Sequence, residues 1–338
     1  MLILPATNRV YAEAAVGLLR AELEVLDQTV LGARLRDLGE RRIGAVPYVV
    51  FSAERLGERD LAYLANLSSL YALFQVEGEL LRPLELRPLD QFPSDLVTIQ
   101  RYQGKTNEHF TKLLLNLTAL GSDFAEGMLE RRLDVLDPLC GRGTTLNQAL
   151  MYGYNAAGIE VDAHDFDAYA TFIGTWLKNR RIKHKLEVRT VRRSHQTIGR
   201  RLDVTLGATR ERYKAGDTLR LSMVNADTRQ GLEFLRPRSF DVVVTDMPYG
   251  VQHGSRGAAG LQRSPLDLLR AALPAWLELL RPGGAVGISW NTRVARREQA
   301  AEALQAAGLE VLDGGAWSGF RHRVDQAIVR DVLVARRR

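Results

Sequence analysis

The chain holds one cysteine, Cys140, among its 338 residues. No intrachain disulfide can form, a structural zinc site of several cysteines is excluded, and no other metal site is expected. Long apolar runs are lacking too. None approaches the roughly 20 residues a membrane span requires, so no membrane partner is expected. The first residues, Met1-Leu2-Ile3-Leu4-Pro5, have neither a basic start nor a long apolar stretch, which argues against a secretory signal and for a cytoplasmic protein. Lysine is scarce, 6 residues against 40 arginines, a bias that codon usage can also produce. What is present is ordinary for a globular protein: 46% hydrophobic and 25% charged residues exclude disordered, collagen-like and coiled-coil chains. The length suffices for about two domains at roughly 100–200 residues each.

The net charge of +6 is unevenly spread. Residues 1–95 carry 10 Arg and no Lys against 14 acidic residues, whereas residues 178–220 carry 14 Lys and Arg against 4 acidic residues. A basic block of that kind favours a polyanionic partner, nucleic acid first among them.

Residues 1–95 mix helical and strand patterns and read as a small α+β unit. Glu13–Leu26 has apolar residues at helical spacing, 45–51 reads as a strand, 61–74 as an amphipathic helix and 75–81 as a further strand. Three prolines between Pro83 and Pro93 predict a linker. From Leu133 onward strands and helices alternate with short loops, the pattern of a doubly wound sheet. Strands are predicted at 133–136, 155–159, 219–224, 240–245, 285–290, 309–313 and 327–335, with helices between them. The basic stretch breaks this rhythm. It reads as a β-hairpin insert at about 180–218, with Arg192, Arg193, Arg200 and Arg201 flanking its tip and expected to contact phosphates.

One turn carries nucleotide-site chemistry: Asp137-Pro138-Leu139-Cys140-Gly141-Arg142-Gly143-Thr144, between a strand and a helix. Two glycines let backbone approach a ligand closely. A P-loop would need a lysine that is absent. A dinucleotide turn would need a third glycine where Leu146 stands. The surviving match is the Asp-x-x-x-Gly-x-Gly turn that holds the amino-acid part of S-adenosylmethionine, with Asp137 near its ammonium group. Glu160, 17 residues after Gly143, ends the second strand, where a carboxylate accepts ribose hydroxyls; Asp162 is a second candidate. Asp227 ends the third strand, where it could bind the adenine amino group. Acids at strand ends also serve as helix caps.

A second motif, Asp246-Met247-Pro248-Tyr249-Gly250, follows the strand at 240–245. It resembles the (Asp/Asn)-Pro-Pro-aromatic motif of enzymes that methylate planar nitrogens. An exocyclic amine shares its lone pair with the ring and is a poor nucleophile. Acceptors on both N–H groups, here Asp246 and the Met247 carbonyl, favour a pyramidal nitrogen and return the lone pair to it. Tyr249 can stack on an extruded base. Met247 stands where the family has its first proline, so the carbonyl is kept and the ring's rigidity is lost.

At these residues the chain resembles a class I S-adenosylmethionine-dependent methyltransferase, and within that class the guanine-amino (N2) tRNA methyltransferases that usually carry a THUMP domain. The likeness covers about residues 96–338. Two further segments contribute: Tyr102-Gln103-Gly104-Lys105-Thr106-Asn107, in which the resemblance puts Thr106 and Asn107 near the cofactor carboxylate, and His322-Arg323-Val324-Asp325-Gln326 before the last strand. The implied fold is α/β, a Rossmann-like seven-stranded class I methyltransferase sheet over 96–338 with a smaller N-terminal α+β domain over 1–95 that orients substrate. The implied activity is transfer of a methyl group to an exocyclic amine of a nucleic-acid base, guanine in tRNA first. The alternatives are a DNA adenine or cytosine amino-methyltransferase, a small-molecule N-methyltransferase, and a non-catalytic nucleic-acid-binding module. The acidic balance of residues 1–95 is unlike an RNA-gripping domain, which leaves phosphate binding to the basic hairpin. Trp290 and Asn291 end the fifth strand near the expected substrate pocket. His253 follows the second motif with no required role, and Cys140 has no paired histidine that would make it a nucleophile.

Overall fold

The computed structural model describes residues 1–3, 9–102, 104–249 and 264–338. Leu4, Pro5, Gln103, Gly250 and His253, quoted above, lie outside the described residues. The N-terminal unit is built on β1 (Leu2–Ile3), β2 (Arg36–Ile43), β3 (Val46–Ser52), β4 (Leu70–Glu77) and β5 (Leu80–Leu84). They form an antiparallel sheet in the order β2-β3-β1-β4-β5. Helix α1 (Arg9–Leu26) buries Leu18, Leu19, Leu23 and Leu26 in one core with Val49, Leu64 and Leu73.

The helix expected over 61–74 is two elements. Helix α2 (Glu58–Leu64) ends at a turn, and β4 begins at Leu70. The turn is fixed by tertiary contacts: the buried Glu22 carboxylate of α1 accepts from the Ser68 N–H (2.9 Å) and hydroxyl (2.6 Å). The segment expected as a linker is fastened down. Leu89 N donates to Asn66 Oδ1 (2.9 Å) and Gln91 N to the Met151 carbonyl (2.7 Å).

Beyond it come α3 (Asp95–Thr98) and α4 (Glu108–Leu120), and then the strands of the large sheet. These are β6 (Asp134–Asp137), β7 (Asn155–Glu160), β8 (His184–Arg193), β9 (Gln196–Leu206), β10 (Leu219–Asn225), β11 (Phe240–Asp246), β12 (Leu280–Asn291), β13 (Glu310–Leu312), β14 (His322–Arg323) and β15 (Val329–Arg336). Interleaved helices are α5 (Thr144–Met151), α6 (Ala163–Asn179), α7 (Arg210–Lys214), α8 (Pro265–Leu279) and α9 (Arg297–Ala306). The spatial order is β13-β15-β12-β11-β6-β7-β10-β9-β8. Strands β10, β7, β6, β11 and β12 are mutually parallel, and β15 and β13 continue the sheet with antiparallel pairings. This is the Rossmann-like class I methyltransferase sheet, extended at the β10 edge by the β8–β9 hairpin. Successive strand residues serve opposite cores: Val135, Val242 and Val244 face one layer, Leu136 and Val243 the other. Helices cover both faces, so the central strands read as continuous apolar runs.

The hairpin occupies 184–206 within the expected insert, and its tip lies elsewhere. Ser194 and His195 make the turn with φ of +48° and +66°, the left-handed pair that a tight two-residue hairpin uses. Arg192 and Arg193 therefore flank the tip, whereas Arg200 and Arg201 lie mid-strand opposite Thr190 and Arg189. Residues 200–206 of β9 also pair with β10, so Arg200 and Arg201 are held within the sheet and not at the turn.

At the amino ends of the parallel strands, fully buried Asp241 accepts from Arg131 (2.6 Å), Arg281 (2.7 Å) and the Asp134 N–H (2.8 Å). It ties β11 to the entry of β6. Asp241→Ala leaves these donors without their shared acceptor and is expected to cost about 3 kcal/mol. A denaturation curve with an unshifted midpoint would refute that role.

Candidate active site

Strand order reverses between β6 and β11: the chain leaves β6 for β7 on one side and returns as β11 on the other. In open α/β sheets ligands bind outside the carboxyl ends of the strands at such a point. Here both strands end in a carboxylate, Asp137 and Asp246. A cavity of about 530 Å³ lies over them, within the range of small-molecule sites. Its walls include Tyr102, Gly141, Asp162, Met247, Pro248 and Tyr249.

The wall from the first turn is built tightly. Asp137 Oδ1 accepts from Leu139 N (3.1 Å) and from the Thr245 hydroxyl (2.9 Å), which links the turn to β11. Burial pushes the Asp137 carboxyl up to about 6, against hydrogen bonds that pull the other way. Buried Pro138 begins the turn. Gly141 and Gly143 take φ of +50° and +76°. A Cβ on Gly143 would sit 2.3 Å from the Tyr169 ring, so this position tolerates only glycine. Thr144 opens α5, its hydroxyl 3.2 Å from that of Tyr102, and Arg142 stacks on the Tyr102 ring at 4.8 Å while pairing with Asp165.

The strand-end acids divide their work. Glu160 accepts from Gly141 N (2.8 Å) and Asp162 N (2.7 Å), bracing the glycine turn, and burial pushes its carboxyl up to about 7. Asp162 caps α6 through His164 N and also lines the cavity. Asp227 is spent elsewhere: it caps a short helical turn through Arg229 N and pairs with the Arg229 guanidinium, and it is not on the cavity wall. Asn107, expected near a ligand carboxylate, caps α4 through His109 N and Phe110 N.

Thr106 lies closer to the second motif than expected. Its hydroxyl donates to Asp246 Oδ2 (2.8 Å). Three more donors converge on that carboxylate. Ser289 donates to Oδ1, Tyr249 to Oδ2 at 2.5 Å, and Arg330 Nη2 approaches Oδ2 at 3.4 Å. Arg330 also donates to the Tyr249 hydroxyl and lies over the rings of Phe110 (4.0 Å) and Tyr249 (5.1 Å). Met247 is buried, its N–H held by the Ser289 carbonyl at 2.8 Å.

Arg330 and Ser289 were missed in the sequence. The signal was there for Arg330: a buried strand reading Val-Arg-Asp-Val-Leu-Val holds two charges that must each find a partner. Asp331 finds Arg297 (2.9 Å), and Arg330 finds Asp246. Trp290 belongs to the core, its indole N–H on the Ala295 carbonyl, and Asn291 holds the chain before β15. Cys140 is buried, and burial pushes its thiol well up, which removes it as a nucleophile. On the hairpin, Arg200 pairs with Asp167, Arg201 with Asp203 and Arg193 with Glu233. None of the hairpin arginines lines the cavity.

Residues 118–284 match the family described as UPF0020, RMKL-like, methyltransferase domain. The match holds both the Asp137 turn and the Asp246 motif; Thr106, Ser289 and Arg330 lie outside it. The segment is a methyltransferase domain and the chain an enzyme of that class. No curated protein matches the chain. Among solved structures, it is similar to a TehB-like SAM-dependent methyltransferase from Corynebacterium glutamicum, at 16% identity and TM-score 0.36 over 68% of this chain and 97% of that one. A precorrin-6y C5,15-methyltransferase from Geobacter metallireducens is 13% identical, with TM-score 0.39, over 74% and 99%. A T. thermophilus 16S rRNA N2 methyltransferase, solved with AdoMet and guanosine, is 17% identical, with TM-score 0.36, over 90% of this chain and 51% of its own. No helix among the described residues is long and apolar enough to cross a membrane.

Proposed function

We propose that this methyltransferase uses S-adenosylmethionine to methylate an exocyclic amino group of a base in RNA, guanine in tRNA being the substrate that the resemblance favours. One observation carries the reading: a single cavity of about 530 Å³ has the Asp137 glycine turn on one wall and Asp246-Met247-Pro248-Tyr249 on another. The residues fit the cofactor. Asp137 offers a buried carboxylate to an ammonium group, Gly141 leaves the backbone bare on the cavity wall, and Asp162 offers acceptors for ribose hydroxyls beside the braced Glu160. When bound, the cofactor supplies an electrophilic methyl group.

The chain's own part is to prepare the nitrogen. Asp246 and the Met247 carbonyl accept the two amine hydrogens, which favours the pyramidal, nucleophilic form. Thr106, Ser289 and Arg330 fix the Asp246 carboxylate in place, so no reorganisation is needed when the amine arrives. The Tyr249 hydroxyl occupies Oδ2 and must turn aside for the amine. The freed ring is then available to stack on the base.

The first test uses cofactor with a labelled methyl group, offered with separate pools of tRNA, rRNA, DNA and small metabolites. Label is expected in an exocyclic amine of an RNA base, and Asp246→Ala is expected to lower transfer at least about a hundredfold while cofactor affinity stays. Label confined to DNA or metabolites, or an active Asp246→Ala enzyme, would overturn the reading. Tyr249→Phe is expected to keep most of the activity, whereas Tyr249→Ala loses stacking worth about 1–3 kcal/mol, roughly 5- to 150-fold in kcat/KM for RNA. Equal losses in the two variants would remove stacking from the mechanism.

Cofactor affinity should also depend on pH. The carboxyls of Asp137 and Glu160 are raised to about 6 and about 7, so both are anionic at pH 8 and both are mostly neutral at pH 5. An ammonium group binds the anion, so calorimetric Kd is expected to rise as pH falls, about tenfold by pH 5 from Asp137 alone. A flat profile for the wild type, or a wild-type profile for Asp137→Asn, would exclude the contact.

A further inference from the structure

Three cavities share wall residues in succession, starting from the one over Asp246. Thr106 lines both the candidate active site and a neighbouring cavity of about 220 Å³, which Arg330 also lines. His322 and Arg323 line that second cavity and a third of about 1140 Å³. The third is bounded by α1, by the β2–β3 hairpin and by the chain from Gly319 to Arg323. These shared walls put the groove between the N-terminal unit and the large sheet next in line after the methyl-transfer site.

Its charge is unlike that of the unit it borders. Arg41, Arg42, Arg321 and Arg323 line the third cavity, and all four are exposed. No carboxylate among the described residues forms an ion pair with any of them; Arg42 and Arg323 reach only the carbonyls of Ala45 (3.2 Å) and Asp325 (3.1 Å). Two carboxylates, Glu13 and Glu40, share the groove, which leaves an excess of positive charge. Many of the acids of the N-terminal unit are neutralised elsewhere: Asp60 by Arg34, Glu24 by Arg20, Glu77 by Arg82 and Asp95 by Arg180. On the basic hairpin, Arg193 and Arg200 pair with Glu233 and Asp167, and Arg189 and Arg201 share Asp203, which offsets part of its formal charge.

We propose that the RNA strand flanking the modified base lies in this groove, with its phosphates on Arg41, Arg42, Arg321 and Arg323, and not along the β8–β9 hairpin. The inference rests on the RNA reading of the active site and assigns the polyanion surface that reading requires. Unpaired guanidiniums bind phosphate without first breaking an internal pair, and a base must leave its stack to reach Asp246, so a single strand entering beside it fits the groove. The N-terminal unit then contributes through Arg41 and Arg42, whatever its net charge.

The test is binding of fluorescein-labelled bulk tRNA over a range of salt concentrations. It compares wild type with Arg41→Gln/Arg42→Gln, Arg321→Gln/Arg323→Gln and the hairpin pair Arg192→Gln/Arg193→Gln. Each groove pair is expected to lower the slope of log affinity against log salt by about 1.4 and affinity at moderate salt by about tenfold. S-adenosylmethionine affinity, read by calorimetry, is expected to stay within about twofold, which also reports that the variants fold. KM for RNA should rise while kcat holds. Groove pairs that bind tRNA as wild type does would overturn the proposal and leave the active-site reading standing. A wild-type protein that binds the cofactor but no RNA would overturn both.

Discussion

Two adjacent parallel strands end in carboxylates, and the rest of the site depends on that junction. Asp137 closes β6 and Asp246 closes β11, at the point where the sheet reverses its winding. Bringing two acids together under a cavity is costly, because each would rather be hydrated. The molecule meets the cost differently at the two positions. Asp137 receives the hydroxyls of Thr145 and Thr245 and an N–H but no cation among the described residues, and its proton affinity rises with burial. Asp246 receives a buried guanidinium and three hydroxyls. One carboxylate is left wanting a cation, and the other is held in a fixed attitude. Those are the separate needs of a cofactor ammonium and of a substrate amine.

The same economy explains why the N-terminal unit is fastened to the larger sheet. Glu22 of α1 is fully buried and accepts from Ser68 in the N-terminal unit and from Asn116 of α4 (2.6 Å). Asn116 also donates to the Asn66 carbonyl (2.8 Å) and accepts from the Tyr152 hydroxyl (2.8 Å). A buried polar cluster of this kind holds one arrangement, because any shift leaves desolvated groups unpaired. Helix α4 begins one residue after Asn107, beside Thr106. The network that fastens the two units together therefore also holds the helix that begins beside Asp246.

Net charge along the chain proved a poor guide to the electrostatic surface. A carboxylate within salt-bridge distance removes most of a guanidinium's long-range field, and which arginines are so paired depends on the fold. In the basic block Arg180 meets Asp95, Arg212 meets Asp217 and Arg220 approaches Asp134. Four arginines that form no ion pair with a carboxylate among the described residues lie where an acidic unit meets the last strands.

Local signals carried most of the larger sheet. Apolar runs such as Phe240–Thr245 and the Asp137-to-Gly143 turn act over a few residues, so they could be read directly and their order implied the parallel sheet. The residues that complete the site could not be read so. Arg330 is 84 positions from Asp246 and Thr106 is 140, and no periodicity links them. Asp227 and Asn107 carry the right chemistry in sequence, yet nearby N–H groups and an arginine claim their oxygens. The split of residues 61–74 into helix and strand, the tip of the basic hairpin and the pairing of each arginine rest on contacts between distant segments. The order of strands and the two acid-bearing turns were written into the chain by short-range stereochemistry. Which donors surround each acid, and where positive charge stays free, were decided only when burial forced every polar group to find a partner in space.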